Sequence, residues 1–226
     1  MAMRFIIADP VCGLSLPPVR ACPRLNRMST RIDIAQDHAR RIITPTRIDE
    51  VFALAMELPR RIPAPGQPRR LEALFRELGH AQPMRHPDEI EDLIWAHWIA
   101  HGNAGASGSM AMAIDAMGAG AFDLALPVLD DLVETFPDWS EAWNKRATLH
   151  SVEKREAAAV DDIERVLKLE PRHFGAISGF GQVCLRHGRF AEARAVFQVA
   201  LGINPHLEGL REAITEIGES DRGLLH

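Results

Sequence analysis

The sequence contains no Tyr and only three Cys, at positions 12, 22 and 184. Three cysteines so placed give neither a disulfide framework nor a zinc-ligand spacing. Cys184 falls on an inward place of an apolar pattern and reads as a small buried hydrophobe. Long apolar runs are missing too. Phe5-Ile6-Ile7-Ala8 is cut off by Asp9-Pro10, short of the roughly 7–15 apolar residues of a secretory core. Nothing later reaches the ~18 residues that a helical membrane span needs. The expectation is a cytoplasmic protein, with a periplasmic site as the alternative if translation starts elsewhere, at Met28 or Met56. Catalytic patterns are equally scarce. Ser107-Gly108-Ser109 lacks the lysine of a phosphate-binding loop. Asp130-Asp131 and Asp161-Asp162 are adjacent acids, which diverge on a helix and read as a solvated face. No enzyme and no cofactor are expected.

Charge is spread unevenly. Residues 1–70 hold twelve Arg, no Lys and six acids, a balance of +6. Residues 71–226 hold 14 basic and 25 acidic residues, a balance of −11, and the two sum to −5. An Arg-only leader is suited to nucleic acid or to an acidic surface, but the plainer reading is a poorly ordered extension or an upstream start that is not the real one, and no nucleic acid is expected as partner. Residues 1–65 therefore read as a basic, Pro-containing extension with no part in the fold.

What the chain does have is a period. Pro137, Pro171 and Pro205 stand 34 residues apart, and each closes the same pattern of small and large residues. One unit carries Ser109, Met112, Ala113 and Ala116, then Gly120, Phe122, Ala125, Leu129 and Leu132. The next carries Trp143, Arg146, Ala147 and His150, then Ala159, Ile163 and Val166. The third carries Ile177, Phe180, Gly181 and Cys184, then Gly188, Phe190, Ala193, Phe197 and Ala200. Small residues let two helices of a unit approach closely. Large ones fill the space between them, and Pro stops the second helix. One unit cannot bury its apolar face alone, so units must stack.

This pattern resembles the tetratricopeptide repeat, Trp-x2-Leu-Gly-x2-Tyr, then Ala-x3-Phe, then Pro. The departures are Ala116, His150 and Cys184 at the second aromatic place, Arg146 at an apolar place and Glu156 at the turn aromatic. The resemblance implies an all-α right-handed solenoid with three units, 106–139, 140–173 and 174–207. Residues 66–105 are expected to supply a degenerate capping helix pair, and 208–226 a capping helix and tail. Leu71, Leu74, Phe75 and Leu78 form one face of the pair. Ile90, Leu93, Ile94, Trp95, Trp98 and Ile99 form the other, with Asp88 and Glu91 as its capping box. Within 1–65, Asp49 to Leu58 is a short amphipathic stretch. Trp143, at the signature aromatic place, is expected to be a structural keystone.

The resemblance also implies a function, a scaffold that binds a protein or peptide in a concave groove lined by the first helix of each unit. The candidate contacts are Asn144, Lys145, Thr148, Gln182 and Arg186. The clamp that co-chaperones use for an acidic chaperone tail is not expected, because Met110, Ile114, Lys145, Gly175 and Gly179 occupy its places. WSEAWNKRAT and LEPRHFGAISGFG also resemble small bacterial repeat proteins, chiefly alphaproteobacterial, of unassigned role. Some of these are exported, which keeps a cell-envelope assembly factor as an alternative. A second alternative is a metal site or small enzyme using His86, His97 and His101, with the last two at i, i+4 on one helix.

Overall fold

In the computed structural model the described residues are 43–61 and 69–223, with side chains as far as Gly218. They form ten α-helices and no strand. α1 (Pro45–Glu57) runs into a single 3-10 turn, Leu58–Arg60. α2 (Arg69–Leu78) and α3 (Pro87–Ile99) form a hairpin. α4 (Ala104–Gly118) and α5 (Phe122–Thr135) are unit one. α6 (Ser140–Val152) and α7 (Glu156–Leu169) are unit two, α8 (Phe174–Arg186) and α9 (Phe190–Ile203) unit three, and α10 (Glu208–Gly223) closes the stack.

Each unit turns between its two helices through one left-handed residue. These are Gly120 at φ 72°, Lys154 at 60° and Gly188 at 68°, again 34 apart. Glycine adopts this region freely, while lysine bears steric strain there. The small places work by close approach. A Cβ added at Gly181 would lie 2.2 Å from the Phe197 ring, so only glycine fits between those helices. Pro127 is the sixth residue of α5 and exposed, and the helix continues through it.

Side-chain caps start several helices. Thr44 accepts from the Arg47 amide ahead of Pro45, and Asn103 accepts from the Ala106 amide. For α3 the expected capping box does not form. Pro87 takes the first helical position, where its fixed φ suits the helix. His86 is therefore the cap, and Asp88 lies inside the first turn.

Two expectations about the chain before the repeats need correction. Residues 43–61 are not an idle extension. Ile48, Val51, Leu54, Ala55 and Leu58 are buried in one core with Val160, Ile163, Val196 and Ala200. α1 thus lies across the second helices of units two and three. Arg47 pairs with Asp161 and Glu164 at 2.8 Å each, and Arg189 pairs with Asp49. The amphipathic stretch carried this signal, and Arg and Pro content nearby masked it. Residues 1–42 and 62–68 lie outside the described residues, as do Cys12 and Cys22.

The helix pair 69–99 forms, but it does not stack ahead of unit one as a cap. It lies along the edge that carries the inter-unit turns. Leu71, Leu74, Phe75, Leu78, Ile90, Ile94 and Trp98 bury one another against Phe174, with Ile203 and Leu207 alongside. The apolar faces were legible in the sequence. Their target was not, because the contacts are made to residues about 100 positions later.

Candidate functional site

The hairpin meets in order the two turns between units and the turn from unit three to α10. At the first, the Trp139 indole N–H donates to the Trp98 carbonyl at 2.7 Å. The His101 ring packs on Phe136 and Trp139 at 4.6 and 4.8 Å. At the second, Trp98 stacks on His173 at 4.1 Å with 9° between the planes. Arg172 pairs with Glu72 at 2.8 Å and lies over Phe75. At the third, the Asn204 amide donates to Glu91 at 2.9 Å, and the His206 ring contacts the His80 carbonyl at 3.0 Å. Trp139, His173 and Leu207 are themselves one repeat position, 34 residues apart. From Glu91 to Trp98 is about 10 Å of helix at ~1.5 Å per residue. That matches the ~8–10 Å between packed helices, so α3 steps from turn to turn.

This arrangement covers the N-terminal ends of α6 and α8. Trp95 lies so close over Gly175 that an added Cβ there would be 2.6 Å from its ring. Beneath sits a buried polar cluster. Glu141 accepts from the Asn144 amide at 3.1 Å, meets His173 Nε2 at 2.9 Å and pairs with Lys145 at 2.9 Å. The Lys145 ammonium also lies 5.3 Å from the Trp95 ring centre. Burial pushes the Glu141 carboxyl up. The Lys145 charge and the His173 hydrogen bond outweigh it and hold the group below the ordinary carboxylate range. Such clusters are stable only with every member paired.

Asn144 and Lys145 were expected to face a partner. Asn144 is only 7% exposed and its amide is committed to Glu141. Lys145 is held inward by the same carboxylate. Lys145 meets the hairpin at Trp95, and Asn144 holds the carboxylate that Lys145 pairs with. Sequence reasoning placed Glu141 among the groove-facing positions and missed His173, which stands where the other units have the apolar Trp139 and Leu207.

The other three candidates lie further along α6 and α8. Thr148 and Gln182 are half-buried equivalents in successive units, and the Thr148 hydroxyl donates to the Asn144 carbonyl. Arg186 is exposed. It pairs with Glu156 and donates to the Ser151 hydroxyl at 3.2 Å. Ser151 and Leu185 border this open part, half-buried.

The histidines do not converge. α3 ends at Ile99 and Ala100 is extended, so His101 leaves the helix that was to place it one turn from His97. His101 Nδ1 accepts from the Asn103 amide, and the exposed His86 caps α3. Among the described residues no three His, Cys, Asp or Glu are placed to hold a metal, and no helix is long and apolar enough to cross a membrane.

Comparison with known proteins agrees with this architecture. A family model described as a tetratricopeptide repeat matches residues 110–165 and 157–208. A TPR repeat-containing protein of Rhizobium etli is 31% identical over 154 residues, which is 68% of this chain and 76% of that protein.

Proposed function

Because this chain belongs to the tetratricopeptide repeat family, we propose that it is a protein-interaction scaffold that takes an extended peptide in the open part of its groove. The contacts are Thr148, Gln182 and Arg186, with Ser151 and Leu185 beside them. One observation carries the reading. The hairpin covers the N-terminal ends of α6 and α8 but leaves this polar row partly exposed, next to an exposed guanidinium. An extended peptide needs hydrogen-bonding partners at regular spacing, and Arg186 offers a planar fork to a carboxylate. The proposal includes no catalysis and no cofactor, and a cytoplasmic site. Fractionation separates that from a cell-envelope role.

The test is affinity purification of the full chain, identification of what is retained, and titration of that partner against Gln182→Ala with Arg186→Ala. Surface changes of this kind alter stability by about 0.5 kcal/mol or less, so the melting temperature holds while affinity falls about tenfold or more, equivalent to ~1.4 kcal/mol. Unchanged affinity places the site elsewhere.

A further inference from the structure

Unit one presents a stacking face with nothing among the described residues stacked on it. The repeat itself reveals this. Three sets of equivalent residues, 34 apart, are Gly108, Ala142 and Ala176, then Met112, Arg146 and Phe180, then Asp115, Leu149 and Val183. In units two and three, Ala142, Ala176, Phe180, Leu149 and Val183 are all buried. Arg146 keeps 19% of its side chain exposed. In unit one all three members are exposed, with Met112 at 66% and nothing within 4 Å of a Cβ added at Gly108. The residue types are not the cause. In units two and three these places meet the second helix of the unit before, and unit one has no such unit before it. Gly108, Met112 and Asp115 are spaced i, i+4, i+7, one stripe along α4.

The surroundings select by charge. From Pro87 to Asn144 there is no Lys and no Arg, against eleven Asp and Glu. Asp115 lies on the stripe, and Asp123 and Asp131 are exposed on α5, the other helix of the same unit. Two copies of this face would repel one another. The complementary charge exists in the same chain. Residues 1–42 carry seven Arg, no Lys and three acids.

We propose that this open face of unit one is a docking surface for the chain's own residues 1–42. Met112 and the flat surface at Gly108 take apolar side chains, and Asp115, Asp123 and Asp131 receive arginines. Reach is ample. Residues 1–42 end at Ile43, which is anchored in the core. Extended chain spans about 3.3 Å per residue, so 42 residues reach roughly 140 Å, while one helix of a unit is about 20 Å long. The tether raises local concentration to the millimolar range, so weak charge pairing is sufficient to fill the face. The proposal does not depend on the groove.

The test uses the full chain with Cys12→Ser, methyl-labelled methionine and a nitroxide on Cys22. Cys184 is buried and its thiol is pushed up to about 12, chiefly by burial, so it resists labelling. The Met112 methyl signal should lose most of its intensity relative to the sample with reduced label. Met84, fully exposed on the α2–α3 turn, should keep its own. The loss should reverse in about 1 M salt, where the screening length is ~3 Å, and in Asp115→Lys with Asp131→Lys. Both are exposed positions, and circular dichroism checks the fold. A Met112 signal indifferent to the label overturns the proposal and leaves the face to another protein. A loss seen only when labelled and unlabelled copies are mixed overturns it in favour of a second copy. A loss that survives charge reversal overturns the role of the carboxylates.

Discussion

Arg146 stands where unit three has the buried Phe180, and it keeps that place by bringing its own partners. It bonds Asp162 at 2.8 and 2.7 Å and Asp130 at 2.9 Å, and lies over Trp143. Burial pushes the Asp162 carboxyl up against the pull of Arg146. Trp143 is less buried than its signature place implies. Its indole N–H donates to the Pro137 carbonyl and its ring carries Arg146 and Arg165. Trp98 and Trp139, at 4% and 7% exposed, carry more of the core. His150, beside this network, gives a titratable prediction. Burial, then the charges of Arg146 and Arg155, push it from 6.5 down to about 4. The folded protein therefore keeps it neutral while the unfolded chain protonates below 6.5. Its contribution is intact above pH 6.5 and is lost as pH falls towards 4, a difference of about 1–3 kcal/mol after allowance for partial solvation. His150→Cys, the residue of unit three, should flatten that part of the melting-temperature profile. An identical slope between pH 6.5 and 4 in both proteins would contradict it.

At the scale of elements, α1 is the instructive case. Its apolar spacing was legible over Asp49 to Leu58, yet composition argued for an idle leader. Amphipathic periodicity reports that a helix has a face to bury, whereas Arg and Pro content reports only on the residues around it. A chain beginning at Ile43 should melt within a few degrees of the whole protein. One beginning at Gln67 loses Ala55 and five larger buried apolar side chains, Ile43, Ile48, Val51, Leu54 and Leu58, the larger ones each worth about 1.5–3 kcal/mol. Most of that is offset by the ~1–2 kcal/mol of backbone entropy that each ordered residue costs. The net loss should be about 3 kcal/mol, or roughly 6–12 degrees in melting temperature. Equal melts for the two chains would show that α1 rests on the surface without supporting it.

For the whole molecule, the 34-residue period made the three units legible because each contact within them occurs three times. The hairpin's contacts occur once each, so no period records them, and α3 was assigned to the end of the stack instead of its edge. The row of equivalent first-helix positions was legible for the same reason as the units. Its covered end was not, since Asn144 and Lys145 look like any solvated pair until Trp95 is placed above them. A plain solenoid has only nearest-neighbour coupling and unfolds unit by unit. Here one hairpin bridges all three turns, which should make unfolding a single transition, with circular dichroism and tryptophan fluorescence coincident in denaturant. Trp98→Ala should cost about 3–5 kcal/mol and pull the two curves apart. Coincident curves in that variant would mean that the bridge carries no cooperativity.

The position of α1 also orders events during synthesis. Arg47 meets Glu164, 117 residues later, and Arg189 meets Asp49 across 140. At about 5–20 residues per second, the ribosome needs roughly 7–30 s to make that stretch. Through that interval Ile48, Val51 and Leu54 have no α7 or α9 to cover them. Among the described helices the first to emerge is therefore one of the last to dock, and the nascent chain carries an uncovered apolar face until unit three is complete.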